Sequence, residues 1–312
     1  MLQRLLFVWL ILLGLLAWFW PRELLGGFDP FLASRPVLNP LFAVTMLAIG
    51  SLLPRDEIRQ VARRWPTVLG GTAVQYLSMP LLAWSMADLM GLDGPQRAGV
   101  LMAGCVPGAM ASNVLTLLAR GNVSYSVSLT TSATLLSPVA VPLGLWLTLG
   151  RGHAEFPVGA TMWQLCWMVV GPVVVGHALS RVWPAWSSAA RRAGAPLANL
   201  AILWIIAVTV AANRGQAGGV HVRLVVALLG LNLGGYLAGW AGARTMRLPL
   251  DMRRALTLEI GMQNAGLGTV LATSLFGPAA AIAPALYTFG CMLTGTCLAR
   301  WWAGRTPPEI PR

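Results

Sequence analysis

Two short stretches decide the fold of this chain: residues 104–113, which read GCVPGAMASN, and residues 259–268, which read EIGMQNAGLG. Each lies within an apolar run that is long enough to cross a bilayer. Proline removes a backbone donor and glycine weakens a helix, so both stretches predict helices that are interrupted inside the membrane. Interrupted helices at matching places in two halves of a chain are the best sequence indication of a transport site.

The glycines also allow a simpler interpretation, in which they only let neighbouring helices pack closely, as small residues do in membranes. Proline and glycine are common in membrane helices, so the first stretch alone does not decide between close packing and a break. The second stretch occupies the corresponding place in the other half of the chain. Their coincidence favours two broken helices.

The composition predicts an integral membrane protein. Of the 312 residues, 56% are hydrophobic and only 10% are charged, whereas roughly a quarter of a soluble domain is charged. A net charge of +12 taken alone suggests nucleic acid. The arginines cluster instead in short links between apolar runs, so we expect no nucleic-acid partner. Four cysteines lie in apolar segments without metal-binding spacing, and we expect all of them to be buried: Cys105, Cys166, Cys291 and Cys297.

The apolar runs predict an all-α fold with ten transmembrane helices, at about 4–20, 38–53, 66–88, 97–118, 122–149, 158–181, 195–212, 220–243, 254–276 and 280–302. Residues 1–150 would form a first repeat of five helices and residues 151–312 a second repeat, within a single membrane domain. Because five is odd, the second repeat would have inverted topology. The fourth and ninth helices would be the broken pair.

The distribution of arginine predicts the orientation. Links such as the one that carries Arg59, Arg63 and Arg64 fall on one side of the membrane, and the positive-inside rule makes that side cytoplasmic. Both termini would then be cytoplasmic in a multi-pass protein of the bacterial inner (plasma) membrane. The first segment is interpreted as a membrane helix, because Trp18 and Trp20 follow it where a signal peptide would have a small-residue cleavage site.

Glu259 is the acidic side chain that lies deepest within a predicted span. A carboxylate at the bilayer centre costs about 2.5–3.5 kcal/mol, so it needs a proton, a basic partner or a bound cation. Ser126 and Thr130 lie four residues apart on one helix face, and with Asn113 they would complete an oxygen cage that suits a hard cation. The alternatives are a protonated structural glutamate and hydroxyls that bond only to the carbonyl one turn back.

These features together favour a cation site beside an anion site. Gln75 is a further polar side chain that needs a partner inside the membrane. The half-helix that follows each break would direct its positive N-terminal end inward, where an organic anion could rest. A cation and an anion that bind side by side are typical of a symporter.

At these residues the chain resembles the bile acid:sodium symporter (BASS) family, from about residue 38 to residue 302. The resemblance is carried by residues 107–113 with the hydroxyl-rich helix that follows, and by residues 259–264. It implies two inverted five-helix repeats, arranged as a core domain and a panel domain. It also implies that the unwound fourth and ninth helices cross near the midplane of the membrane.

The resemblance further implies two coupling sodium ions and a substrate site. The first sodium site would consist of Ser112, Asn113, Ser126, Thr130 and Glu259. The second would use Gln75, Glu259 and Gln263 with the backbone carbonyls of Ile260 and Met262. The substrate would contact Asn264, Met110, Ala111 and Ala265.

The family's first motif usually reads PGGTASN, whereas this chain has Ala109 and Met110 at its third and fourth places. The chain therefore lacks a threonine hydroxyl that would reach the substrate, and Met110 would make the pocket more apolar. Family members carry bile acids, pantoate-like acids, pyruvate and other organic anions. We expect a small organic anion, monocarboxylate-like or bile-acid-like, and the short loops favour a monocarboxylate. The sequence does not determine the oligomeric state and is compatible with a monomer.

Three other functions compete with this prediction. An enzyme is not expected, because the chain has no HExxH, Walker or GxSxG motif and His177 is the only histidine well inside a predicted span. A proton-coupled carrier that uses Glu259 stays open, and so does a sensor without net transport. Dependence of uptake on sodium, on a pH gradient, or on neither would separate these alternatives.

Overall fold

The computed structural model describes residues 6–23, 26–54, 57–149, 156–215 and 221–304. Within these ranges the chain is helical, and its only extended pairing is an isolated antiparallel bridge between Gly108 and Gln263. The helices are α1 (Leu6–Trp18), α2 (Pro30–Ala33), α3 (Leu38–Leu52), α4 (Glu57–Arg63), α5 (Trp65–Leu89), α6 (Gly94–Cys105), α7 (Ala111–Leu118), α8 (Val123–Leu149), α9 (Val158–Leu165), α10 (Gly171–Val182), α11 (Pro184–Ala212), α12 (Val222–Thr245), α13 (Leu250–Gly261), α14 (Ala265–Phe276) and α15 (Ile282–Ala303).

Six helical stretches in the described residues are long and apolar enough to cross a membrane: Arg35–Leu52, Val123–Leu149, Val158–Val182, Pro184–Ala212, Val222–Thr245 and Ile282–Ala303. The stretch Val158–Val182 joins α9 and α10 through a π-helical turn at Cys166–Val170. Pro172 follows after Gly171, and its missing N–H accounts for a widened turn at this point. The protein is an all-α, multi-pass membrane protein.

The two interruptions predicted from the sequence lie where they were expected. The fourth predicted span consists of α6 and α7, separated by residues 106–110, and the ninth consists of α13 and α14, separated by residues 262–264. Val106 and Met262, which follow the first helix of each pair, have extended backbone. Pro107 cannot donate a backbone hydrogen bond, so α6 cannot continue through it.

The helices pack in two groups. In one group α3 contacts α10 and α11, and α1 contacts α11. In the other group α5 contacts α6, α8 and α12, while α13 lies against α12 and α14 against α15. Helix α9 continues into α10 and so belongs to the first group. The two groups meet where α8 contacts α9 and where α11 contacts α14. Both broken helices belong to the second group.

Glycines in α12 bring that helix directly onto the backbone of α13. A Cβ on Gly239 would lie 2.8 Å from the Leu256 carbonyl oxygen, and a Cβ on Gly235 would lie 3.0 Å from Cα of Gly261. Only glycine permits this approach, as in the small-xxx-small contacts of membrane helices. The first half of the second broken helix is therefore held closely along its length.

Two expectations differ from the structure. The predicted span 195–212 was wrong at its start, because α11 begins at Pro184. Proline is favoured in the first turn of a helix. The turns that follow contain arginine and serine, so they are helical but too polar to be recognised from hydropathy as part of a membrane span. The expected burial of all four cysteines was also wrong: Cys105 and Cys291 are buried, whereas Cys166 and Cys297 lie on the helix surface.

Helix α4 lies in an arginine-bearing link for which no helix was predicted. The predicted boundary between the two repeats, at residues 150 and 151, lies outside the described residues, as do the first residues of the chain and residues 305–312.

Candidate functional site

Glu259 lies in the last turn of α13 and is only 2% exposed. Its carboxylate accepts a hydrogen bond of 2.5 Å from the Ser112 hydroxyl and one of 2.7 Å from the Thr130 hydroxyl. In the part of the chain that the structure describes, the ion pairs lie elsewhere and none involves this carboxylate. A buried acidic group is thus enclosed by hydroxyls from α7 and α8.

The other residues predicted for the first sodium site belong to the same cluster. The hydroxyl oxygen of Thr130 lies 3.5 Å from the side-chain oxygen of Asn113 and 3.0 Å from the Ser126 carbonyl oxygen. All five predicted residues are at least nine-tenths buried. The structure therefore brings the other four residues together near the Glu259 carboxylate.

Thr116 joins this cluster and was missed in the sequence. Its hydroxyl lies 3.3 Å from the Ser126 hydroxyl, and its side chain is fully buried. Ser112 and Thr116 are four residues apart, so they share a face of α7. That spacing was available as a signal in the sequence.

The side chains predicted for the second sodium site also meet. The Gln75 amide donates to the Gln263 side-chain oxygen at 2.7 Å, and the Gln263 amide donates to the Ile260 carbonyl at 2.7 Å. Gln75 and Gln263 are both buried. The side-chain oxygen of Gln75 is buried without a hydrogen-bond partner. Since an unsatisfied buried acceptor costs about 1–3 kcal/mol, this oxygen is suited to a ligand.

The two broken helices are bonded to each other through their backbones. Ala109 N–H donates to the Met262 carbonyl, and Asn264 N–H donates to the Pro107 carbonyl, each at 2.7 Å. Gly108 lies in this pairing, and a Cβ there would overlap the carboxylate of Glu259. Glycine at position 108 thus lets the first break approach the acidic residue of the second.

The four residues predicted to contact substrate lie where α7 and α14 begin. Asn264 caps α14, and its side-chain oxygen accepts from Leu267 N–H at 3.1 Å. Met110 precedes α7, and its sulfur lies 3.7 Å from the Asn113 amide nitrogen. Asn264, Met110 and Ala111 are partly exposed, whereas Ala265 is buried at 3% exposure.

A second contact between α7 and α13 lies at the other end of α7. Arg254 is 5% exposed, donates to the Ala119 carbonyl at 2.7 Å and lies over the Trp302 ring at 5.9 Å. Its guanidinium satisfies a carbonyl at the end of α7, where positive charge is favoured. From the sequence, the arginines in the links were interpreted only as a topology signal. The structure shows that Arg254 also ties α13 to α7.

Comparisons with known proteins identify relatives of this chain. The family model for the Sodium Bile acid symporter family matches residues 39–218. The uncharacterized sodium-dependent transporter YocS of Bacillus subtilis is 29% identical over 299 residues, which is 95% of this chain and 90% of that protein.

Two eukaryotic relatives cover most of this chain. The probable sodium/metabolite cotransporter BASS1 (chloroplastic) of Arabidopsis thaliana is 30% identical over 270 residues, which is 86% of this chain and 67% of the relative. Sodium/bile acid cotransporter 4 of Mus musculus is 29% identical over 276 residues, which is 83% of this chain and 59% of the relative. With more than half of its residues matched by the family model, the chain belongs to the sodium bile acid symporter family.

Proposed function

We propose that this protein is a secondary active transporter that couples sodium to the symport of a small organic anion by alternating access. The observation that carries the proposal is the environment of Glu259. Its carboxylate is buried at the junction of two broken helices and is surrounded by oxygen-bearing side chains. The sodium-dependent relatives support the same function.

The first sodium ion would bind among Ser112, Asn113, Ser126, Thr130 and Glu259. Hard cations prefer carboxylate, hydroxyl and carbonyl oxygens, and this cluster contains all three. When the ion enters, the hydroxyl protons that now point to the carboxylate would turn away, and the oxygen atoms would face the cation. The charge of the ion would then replace hydrogen bonding as the compensation for Glu259.

The second sodium ion would bind to Gln75, Glu259 and Gln263 and to the carbonyls of Ile260 and Met262. The support for this site is the buried side-chain oxygen of Gln75, which has no partner. A cation would satisfy it. The amide of Gln263 would release the Ile260 carbonyl to the ion at the same time.

The organic anion would lie at the starts of α7 and α14, near Met110, Ala111, Asn264 and Ala265. Backbone N–H groups at a helix start favour negative charge, and the two half-helices begin at the same crossing. Met110 provides an apolar wall, which suits an anion with a hydrocarbon part. The substrate would be monocarboxylate-like or bile-acid-like.

The architecture that we propose has ten transmembrane helices in two inverted repeats, residues 1–150 and 151–312. Each half has three helices, then a broken helix and a further helix. The group with α1, α3, α10 and α11 would be the panel domain, and the group with both broken helices would be the core domain. The protein would lie in the bacterial inner membrane with both termini in the cytoplasm, and membrane lipid would be its further partner.

Sodium-dependent thermal unfolding of the detergent-purified protein tests the proposal. The free energy of unfolding should rise by about 2.7 kcal/mol at roughly 100 times the Kd of the ion, relative to choline at equal ionic strength. The Glu259→Gln variant should lose this gain. Asp88→Asn is a matched control, because Asp88 is a 66% exposed carboxylate at the end of α5, and it should keep the gain. Equal stability of the wild type in sodium and choline would refute the sodium sites.

A proton-coupled organic-anion carrier is the second candidate, because a buried carboxyl that accepts two hydroxyl hydrogen bonds is also suited to cycle a proton. In that case low pH, and not sodium, would stabilise the wild type, and Glu259→Gln would remove the effect. Uptake into proteoliposomes would then follow an imposed pH gradient and ignore an imposed sodium gradient.

A further inference from the structure

Asn232 and Tyr287 converge on a single backbone carbonyl at the second break. The Asn232 amide and the Tyr287 hydroxyl each donate to the Gly261 carbonyl oxygen at 2.8 Å. Asn232 comes from α12, Tyr287 from α15, and both side chains are only 1% exposed. Gly261 is the last residue of α13, so the two donors act at the point where the helix ends.

A second layer of contacts orients the Asn232 side chain. The Thr294 hydroxyl donates to the Asn232 side-chain oxygen at 2.7 Å, which directs the amide nitrogen toward Gly261. The Tyr236 hydroxyl lies 3.1 Å from that of Thr294. The ring of Tyr236 occupies the space that a Cβ on Gly261 would need. The amide is therefore held in one orientation by buried neighbours.

These donors take the place of the helical hydrogen bond that is missing at the break. In a continuous helix the Gly261 carbonyl would accept from the N–H of Ala265, four residues later. Ala265 N–H donates instead to the Gln263 carbonyl at 2.8 Å. Without Asn232 and Tyr287 the Gly261 carbonyl would be buried and unsatisfied, and it would favour a return to the helical pattern.

We propose that Asn232 and Tyr287 are positioning residues for the second sodium ion. By holding the Gly261 carbonyl outside the helical pattern, they keep the flanking carbonyls of Ile260 and Met262 directed at the ion. This role rests on the proposed function, because the second ion is part of it. It assigns a task to α12 and α15, which contribute no sodium ligand themselves.

The test combines sodium titration with hydrogen exchange on Asn232→Leu and Tyr287→Phe. Leucine has the branched shape of asparagine without its polar atoms, so this variant is expected to fold. Ser180→Ala is the matched control, because Ser180 donates a buried 2.8 Å hydrogen bond to the Ser51 carbonyl away from the site. Thr294→Val and Thr294→Ser form a further pair, in which only serine keeps the orienting hydroxyl.

We expect the apparent sodium Kd, measured by thermal unfolding, to rise about 3- to 10-fold in Asn232→Leu, Tyr287→Phe and Thr294→Val, the range that one lost hydrogen bond gives. Ser180→Ala and Thr294→Ser should keep the wild-type Kd. In sodium-free buffer, amide exchange should change in residues 259–268 of the first three variants only.

Two results would overturn the role. If the wild type binds sodium and the variants bind it equally well, with unchanged exchange at 259–268, Asn232 and Tyr287 serve packing alone and the proposed function stands. If sodium leaves the wild-type unfolding temperature unchanged, the proposed function fails and the positioning role fails with it.

Discussion

The Gly108→Ala substitution tests how closely the two breaks must approach. A Cβ on Gly108 would lie 2.8 Å from Cδ and 3.2 Å from Cγ of Glu259. The Glu259 side chain is flexible and can move aside, so we expect the variant to fold. The Glu259 carboxylate cannot stay in place, however, because the added Cβ would lie closer to it than the van der Waals distance. The substitution should therefore act on the site and leave the fold intact.

The magnitude follows from the attraction between the carboxylate and the ion. Two opposite unit charges about 4 Å apart attract each other by about 4 kcal/mol at an effective dielectric constant of about 20, and a carboxylate that is moved out of the cage loses most of this. If the displaced carboxylate loses about 3 kcal/mol of interaction with the sodium cage, sodium affinity falls about 100-fold. Consider sodium at about 100 times the wild-type Kd. It raises the free energy of unfolding of the wild type by about 2.7 kcal/mol, and that of the variant by only about 0.4 kcal/mol.

The assay is thermal unfolding across a sodium–choline series at constant ionic strength. Gly159→Ala is the control, because Gly159, in α9, has nothing within 4 Å of an added Cβ. It should respond to sodium as the wild type does. If sodium stabilises Gly108→Ala as much as it stabilises the wild type, the Glu259 carboxylate can bind the ion with a side chain at position 108. Close approach of the two breaks would then not be required.

Two further predictions concern other parts of the molecule. Gln75→Leu should remove the second ion alone, so the Hill coefficient of sodium-dependent stabilisation should fall from near two toward one; an unchanged coefficient would contradict the second site. Burial raises the pKa of Asp29, but its hydrogen bonds with Arg214 and the backbone N–H groups of Leu32 and Phe31 outweigh burial and hold this pKa below its usual value. A carboxyl with a lowered pKa stabilises the fold above its unfolded pKa and loses that contribution as pH falls through the folded value. Wild-type stability should therefore decrease below about pH 4 more than that of Asp29→Asn, and parallel pH profiles would contradict this.

The positions of the breaks could be predicted because their causes are local. Pro107 removes a donor from the helix wherever it lies, and the glycines beside it weaken the helix further. Glu259 was identifiable for a related reason, since a carboxylate in an apolar span is costly and rarely incidental. These signals reside in single residues and do not depend on which helices are neighbours.

The contacts that hold the site together could not be predicted in the same way. The partners of Glu259 lie 129 and 147 residues earlier in the chain, and only packing decides that these hydroxyls meet it. No role was predicted for Asn232, and its partner Gly261 emerges only from the contact between α12 and α13. The start of α11 was missed because hydropathy identifies segments that are apolar enough for lipid, and not helices as such. The first turns of α11 are polar but helical.

The proposed sites also explain why a cation and an anion should bind together. Glu259 and Asn264 flank the same short break, so an anion at the start of α14 would lie near the carboxylate. Like charges in a medium of low dielectric repel strongly, and an ionised Glu259 without its cation would exclude the substrate. Sodium between them removes that repulsion and leaves the positive helix ends to attract the anion. Because linkage is reciprocal, the anion must raise the affinity for sodium by the same factor as sodium raises the affinity for the anion. Coupling would then arise from the charge of a single buried side chain at the crossing of the two broken helices.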